Sequence, residues 1–521
     1  MFKRSNVING SLTGILLALS LGYFLVFFQN GLGLAYNDAR SHLDIGRRVV
    51  EGLKPGLAQL GSVWLPLTHL LMVPTIWDDF MWQSGLSGAI QSMAAFVGTG
   101  VLVYKFLEKL KVGQLGRLLG VAVFAANLNV LYLQSTAMTE LPLLFTMTAG
   151  CYLLLRWHQT DNILDLILSA FWIASSTLIR YDGWFLLLFS AVLVLVHTWV
   201  KRGYKTSEGM TILFCTLGGF GIFLWLLWNQ LIFKDALYFA FGPFSAHAQQ
   251  EQLSQAGVLA TKGNLLLSAK IYFYALMYNS YTLPAIFGAF GAMLLLRDRL
   301  LPLTWRLASL TLLAPLVFNI LSLYLGFSVL FVQGLSGNTW FNVRYGVMLM
   351  PSIAIFVGFL IDRLKDLRWV IIGLLSFVLF FAFVNQDAVT IDDARVGASQ
   401  KNVSEVASYL NSFAKNQSGF ILISAASHDA IIFSSGLPMK RFIHEGTGVY
   451  WTAATTAPDR WARWIIMRTY DDFDLTWKFV SRVPGFAKYD LLFHLPFADV
   501  YEIQPQYLGD LNYSPVFTRQ K

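Results

Sequence analysis

The chain has 521 residues, 56% of them hydrophobic and only 13% charged. Soluble domains carry roughly 25% charged residues, so a large soluble enzyme is excluded and a membrane protein is indicated. The formal net charge of +8 comes from basic residues in short loops between apolar runs, which is a topological signal and excludes nucleic acid as a partner. Cys151 and Cys215 both lie inside apolar runs, so neither a disulfide framework nor a thiolate metal site is supported.

A short basic N-terminus, Met1 to Arg4, leads into the first apolar run, Ser11 to Phe28. That resembles a signal peptide, but no clear small-residue cleavage site follows and many more apolar runs do, so it reads as an uncleaved first span. A span needs about 20 apolar residues. By that measure eleven are expected, over approximately 11–29, 84–107, 116–134, 140–157, 163–180, 183–200, 211–233, 278–297, 307–332, 345–361 and 369–385. Every second loop is basic: Lys105, Lys109, Lys111 and Arg117, then Arg156, then Lys201, Arg202 and Lys205, then Arg297, Arg299 and Arg306, and last Arg363, Lys365 and Arg368. The Lys/Arg bias puts these loops inside with the N-terminus, in a cytoplasmic membrane. An odd span count then sends the residues after Asn385 outside.

The first outer loop, 30–83, opens on a polar cluster, Asn37, Asp38 and Arg40. Leu43, Gly46, Val50 and Leu53 follow at the spacing of one helical face. Such a helix is expected along the membrane surface, apolar side down, with its N-terminal carboxylate where a span leaves lipid. The plainer reading of Asn37 or Asp38 is a helix cap. Val63 to Trp77, interrupted by Pro66 and Pro74, is too short to span and is expected at the interface. Two more outer segments, 234–277 and 333–344, are also long, which places the chemistry on the outer face.

After Asn385 the hydropathy changes sharply. Val403 to Phe413 has a helical pattern, Gly419 to Ser424 and Trp464 to Met467 read as short strands, and Phe473 to Val480 as a further helix. The expected fold class is therefore a polytopic α-helical membrane protein of about eleven transmembrane helices with a C-terminal extracytoplasmic α/β domain. The transmembrane catalytic module is expected over 1–386, first outer loop and juxtamembrane helix included, and the α/β domain over 387–521.

Charges in a span are expensive and usually face a cavity or a partner. Glu140, Arg180, Asp182 and Arg344 all fall at outer span ends, on the face expected for Asp38. Singly, each has an ordinary reading: Glu140 complements a helix N-terminus, Asp182 forms a turn, and Arg344 snorkels. Jointly they suit glycosyl transfer from a lipid-linked phosphosugar. There the acceptor hydroxyl needs a carboxylate to take its proton, and the departing phosphate needs a guanidinium for its growing charge.

Several motifs carry a resemblance. They are the acidic motif after the first span, the amphipathic helix behind it, Thr139-Glu140-Leu141-Pro142, an arginine at a hydrophobic hairpin (Arg180), and Arg344-Tyr345-x5-Pro351 opening a late span. Together they resemble the GT-C membrane glycosyltransferases, in the branch holding protein O-mannosyltransferases and the lipid A aminoarabinose transferase. The resemblance covers essentially the whole chain. It implies a helical membrane module with an external soluble domain, taking sugar from polyprenyl phosphate, typically with inversion. The family's acidic pair falls on Asn37 and Asp38, and a neutral amide cannot serve as base, so the resemblance implies Asp38 as general base with Asn37 as a hydrogen-bond partner. It also implies Arg40 at the donor phosphate, Arg344 with Tyr345 at the leaving phosphate, Glu140 as a second catalytic carboxylate, and Arg180 and Asp182 in substrate binding.

Some relatives use a divalent cation, for which His42 and His69, with Asp38 and Glu140, are the candidates. No ligand spacing requires one, and satisfied interfacial histidines are the preferred reading. The implied partners are a polyprenyl-phosphate-linked sugar, a glycan, lipid or protein acceptor, and membrane lipids. The main rival is a lipid-linked sugar flippase or other transporter, which commonly carries internal repeats and broken mid-membrane helices. No such repeat is visible. A structural membrane protein with an outer binding domain would leave Asp38, Glu140 and Arg344 without a shared purpose.

Overall fold

Among the described residues, seven helices are long and apolar enough to cross a membrane: Ile8–Gln29, Leu86–Lys109, Asp182–Arg202, Tyr204–Phe233, Leu303–Leu325, Val343–Arg363 and Lys365–Val396. The computed structural model describes residues 2–513 apart from 244, 256, 397, 398 and 496. An eighth candidate span is a pair, Leu265–Ser280 and Thr282–Arg297, bent by 109°. The chain is thus a polytopic α-helical membrane protein, and these helices, the bent pair taken as one, correspond to eight of the eleven expected spans.

Three expected spans fall short for separate reasons. Residues 116–134 divide into the helices Gln114–Ala125 and Leu128–Leu133, because the Asn127 side chain accepts from the Val130 amide and starts a new helix. Ile163–Thr177 is fifteen residues long, about 22 Å at the rise of an α-helix, against about 30 Å of hydrocarbon. Glu140–Thr160 has the length, but Glu140, Arg156 and its threonines dilute its apolar character, and most of it is buried.

The chain divides into two compact units. One comprises the residues up to Gly33, Ser62–Thr68 and Ala89–Val396; the other comprises Leu34–Gly61, His69–Gly88 and the residues after Val396. Most of residues 30–83, expected as a loop of the transmembrane module, therefore fold with the C-terminal residues.

In the membrane unit the span Val343–Arg363 is central. Its most apolar stretch is 89% buried, against 17% for Lys365–Val396. Close backbone approach achieves this: a Cβ on Gly358 would stand 2.6 Å from the Gly116 carbonyl oxygen, and one on Gly120 2.9 Å from that of Ala354. Small residues spaced by four are the usual way for helices to meet in lipid. The bent pair breaks at Tyr281, and a break in lipid must have its freed carbonyls satisfied. Asn127 and Asn129 both donate to the Asn279 carbonyl, at 2.8 and 3.1 Å, and the Ser280 hydroxyl donates to Leu276 O at 2.6 Å.

The second unit is an α/β domain. Strands β1 (Phe420–Ile423), β2 (Phe442–Ile443), β3 (Ala462–Met467), β4 (Tyr489–Phe493) and β5 (Asp499–Ile503) form one sheet in the order β2-β1-β3-β5-β4. The first three pair in parallel and β5 and β4 add antiparallel. Continuous apolar runs in β1 and β3 fit strands covered on both faces. Leu422, Ile443, Ile465, Met467, Tyr501 and Ile503 build the core. Both strands expected from the sequence are present, as are helices at Ser399–Tyr409 and Leu475–Val480.

Candidate active site

The membrane unit brings Glu140, Arg180, Asp182, Arg344 and Tyr345 into one cluster, in which Glu140, Asp182 and Arg344 are buried and Arg180 and Tyr345 half-buried. Glu140 begins its helix, with Pro142 in the first turn, where a missing N–H costs no intrahelical bond. Arg180 and Asp182 flank the turn between Ile163–Thr177 and Asp182–Arg202. That turn closes tightly because residue 183 is glycine: a Cβ there would lie 2.5 Å from Ser176 Oγ. Arg344 and Tyr345 sit in a 3-10 turn, Val343–Leu349, opening the central span, and Asn279 Nδ2 donates to Val343 O at 2.7 Å. The chain enters that turn through Asn342, which is left-handed at φ 54°.

One carboxylate oxygen joins the two guanidiniums. Arg344 Nε donates to Glu140 Oε1 at 3.2 Å and Arg180 Nη1 to the same atom at 3.4 Å. Arg180 also donates to Thr139 Oγ1 at 3.3 Å and to Asp182 Oδ2 at 3.4 Å, and Asn319 donates to Asp182 Oδ1 at 3.1 Å. Both guanidiniums lie over the Tyr345 ring, at 4.8 Å for Arg180 and 5.4 Å for Arg344. Asp393 Oδ2 stands 3.9 Å from Arg344 Nη1. Glu140 is fully buried and its second oxygen, Oε2, has no hydrogen-bond partner among the described residues. Two like charges at this depth hold together because three carboxylates surround them; a buried charge is tolerated when it is paired and hydrogen-bonded. Sequence reasoning missed Asp393 and Asn319, and named Thr139 only as part of its motif. A signal for Asp393 was present, since Asp392-Asp393 follows directly on the last apolar run.

Asn37, Asp38, Arg40, His42 and His69 belong to the other unit. Asn37 and Asp38 open the helix Asn37–Val50 behind Tyr36, so Asp38 lies in the first turn, where a helix favours a negative side chain. It is half-buried. Arg40 Nε donates to Leu34 O at 2.9 Å, with Nη1 3.5 Å from Asn37 Oδ1.

Ser41 to Arg48 of this helix are all buried, where its spacing predicts one apolar face. Polar partners explain how a sequence with so many charges can be enclosed. Arg47 donates to Ile76 O at 2.8 Å, pairs with Glu51 and Asp79, and lies over Trp82. Arg48 reaches Asp429 at 3.0 Å, and Trp82 Nε1 donates to Asp44 Oδ1 at 3.1 Å. Of these partners only Glu51, at i,i+4 from Arg47, is legible at sequence level; Ile76 and Asp79 lie 29 and 32 residues from Arg47, Trp82 38 from Asp44 and Asp429 381 from Arg48.

This second cluster is electrostatically loaded. Burial pushes the Asp44 carboxyl well above the ordinary range, Asp429 beside it pushes the same way, and Arg48 opposes them. Burial raises Asp429 to about 6, again against Arg48. Burial lowers His69 and His444 well below the usual histidine value, and Arg48 adds to both shifts. The acids have raised folded values, so their stabilising contribution is complete below about pH 4 and is lost as pH rises through the folded values. The histidines have depressed values, so theirs is present above about pH 6.5 and is lost on acidification. Asp44→Asn keeps an acceptor for Trp82 and removes the charge. It is expected to stabilise the protein by about 1–3 kcal/mol at pH 7 to 8 and to flatten the decline between pH 4 and 7. Melting curves across that range check this; an unchanged or lower stability at pH 8 refutes it.

The residues do not fit a divalent cation. His42 Nδ1 and His69 Nε2 are 2.8 Å apart, bonded to each other, and no group of three His, Cys, Asp or Glu side chains among the described residues could hold a metal. No step is routed through one.

No family model matches the sequence, and no curated protein matches it. Solved structures do match in fold. ArnT from Cupriavidus metallidurans, bound to undecaprenyl phosphate, superposes with a TM-score of 0.57 at 9% identity, over 94% of this chain and 98% of that one. Its apo state gives 0.57 at 11% identity with the same coverage. The oligosaccharyltransferase of Archaeoglobus fulgidus, in complex with Zn and sulfate, gives 0.50 at 9% identity, over 87% of this chain and 67% of that one.

Proposed function

We propose that this chain, which has the GT-C glycosyltransferase fold, is an integral membrane glycosyltransferase moving a sugar from a polyprenyl-phosphate donor to an acceptor on the outer face of the membrane. The observation that carries the reading is the buried cluster of Arg344, Arg180 and Glu140 in the membrane unit. Guanidiniums held there offer planar, charge-assisted donors in a low-dielectric setting, where they act most strongly on a phosphate. The likeness to a structure bound to undecaprenyl phosphate supports a lipid carrier of that kind.

In this reading the acceptor hydroxyl gives its proton to Asp38 as its oxygen bonds to the anomeric carbon. The bond from that carbon to the lipid phosphate breaks, and the phosphate leaves with the electron pair and the added negative charge. Arg344, with Arg180 and Tyr345, stabilises that charge. Glu140 keeps the two arginines apart from each other and aimed, and its open oxygen is available to a substrate hydroxyl. Asp182 fixes Arg180. Asn37 and Arg40 contribute to substrate binding. A hexose or pentose donor, a protein, lipid or glycan acceptor, an N-terminus inside and an α/β domain outside complete the proposal.

Membranes containing the protein, supplied with radiolabelled polyprenyl-phosphate sugar and an envelope extract, are expected to form a labelled product that chromatography separates from the donor. A transport reading draws on the bend at Tyr281, a feature transporters use. Movement of intact donor across the bilayer with no labelled product would favour it and reject the transferase.

A further inference from the structure

The α/β unit holds a cleft of which the roles above use only Arg40. It has a volume of about 320 Å³ and is lined by Arg40, Ser404, Ala407, Ser408, Asn411, Ser412 and Ser434. Three separate elements contribute: the helix Asn37–Val50, the helix Ser399–Tyr409 with its continuation Leu410–Ala414, and the helix Ala425–Ser434. The volume lies at the lower end for ligand pockets, about 300 Å³ and upward, enough for a sugar ring.

Its chemistry is specific. Ser404, Ala407, Ser408, Asn411 and Ser412 recur at the spacing of one helical face; Ala407 is buried with Val403, Val406, Leu410 and Ala414 at its edge, and the four polar residues are exposed. An ordinary solvated face carries long charged side chains, as this helix does at Glu405. Towards the cleft it carries only short hydroxyl, amide and methyl groups, which leave room. The continuation Leu410–Ala414 is a π-helical turn, an irregularity often found at functional sites. Ser434 Oγ is buried and without a hydrogen-bond partner among the described residues. Arg40 contributes a permanent cation, its Nε fixed on Leu34 O.

Short hydroxyls and an amide match the donors and acceptors of a sugar ring, and a planar guanidinium matches a carboxylate or phosphate. We propose that this cleft binds an acidic sugar, a pyranose bearing an anionic substituent, as part of the acceptor. The proposal rests on the glycosyl-transfer reading above for the word acceptor, though not for the site itself. It moves Arg40 from the donor phosphate to the acceptor.

The test uses the full-length chain in lipid nanodiscs with three probes, glucuronic acid, glucose and inorganic phosphate, read by saturation-transfer NMR. Glucuronic acid is expected to bind saturably and about tenfold more tightly than glucose or phosphate. Ser408→Leu and Asn411→Leu should each weaken it by about tenfold without moving Tm; Ser412→Leu replaces either variant if it melts early. Equal binding of glucuronic acid and phosphate overturns the sugar assignment, and unchanged binding in the leucine variants overturns the site. Binding of undecaprenyl phosphate by the unmutated protein in the same discs reports separately on the transferase. If that fails while glucuronic acid binds, the acceptor role is overturned and the sugar site stands.

Discussion

Arg344→Ala is expected to abolish use of a polyprenyl-phosphate donor. Arg344 is 5% exposed and its guanidinium shares Glu140 Oε1 with Arg180, so its removal takes away a charge-assisted donor in a desolvated place. Loss of such a contact to a phosphate costs about 1.5–3 kcal/mol in binding alone, and more where charge grows during the reaction. A fall of at least about 1000-fold in kcat/KM for the donor is therefore expected, from a combined loss of about 4 kcal/mol.

The same substitution has a structural cost. Breaking a buried pair by removing one partner destabilises by about 3–5 kcal/mol, because Glu140, Asp182 and Asp393 are left with Arg180 as the one remaining guanidinium of the cluster. Two further variants separate the effects. Arg344→Lys retains the charge but not the fork, and should keep most of the stability while losing donor use. Arg344→Met combined with Glu140→Gln removes the charge pair together and should recover stability but not activity. Donor kinetics unchanged in Arg344→Lys would reject the phosphate role.

Asp38→Asn carries the second large effect. The substitution preserves the shape of the side chain and leaves the helix Asn37–Val50 its many partners, Arg47 and Arg48 above all. Expression, membrane insertion and thermal stability should stay near those of the unmutated chain. An amide cannot accept the acceptor's proton, so transfer should fall by about 100- to 10,000-fold, with donor binding retained. Asn37→Asp is the informative companion. If the register of the acidic motif were displaced by one residue, Asn37→Asp would restore transfer in the Asp38→Asn background. Full activity in Asp38→Asn removes this residue as the base.

The readable part of the site follows from chemistry that is costly anywhere in lipid. Glu140, Arg180, Asp182 and Arg344 stand out in a chain this apolar because an ionised group at a span end demands a reason, and in the folded unit they meet. Asp44 and Asp429 illustrate the opposite case. Each looks like an ordinary surface acid in a polar segment, and each becomes a buried carboxyl with a raised affinity for its proton only when Trp82 and the helix Ala425–Ser434 pack against the Asn37–Val50 helix. His42 and His69, candidates for a metal at sequence level, bond to each other instead.

By itself the sequence determined the fold class, the places of the apolar runs and the presence of a terminal α/β domain, because hydropathy and period are local properties paid residue by residue to the solvent or the bilayer. Tertiary structure decided which runs are whole helices, which break at Asn127 or Tyr281, and that most of residues 34–88 fold with the C-terminal sheet. Those outcomes depend on contacts between residues far apart in the chain: Asn279 taking its partners from Asn127 and Asn129, Arg48 taking its from Asp429. No local pattern encodes such pairs, since each side chain is compatible alone with several surroundings and only burial selects one.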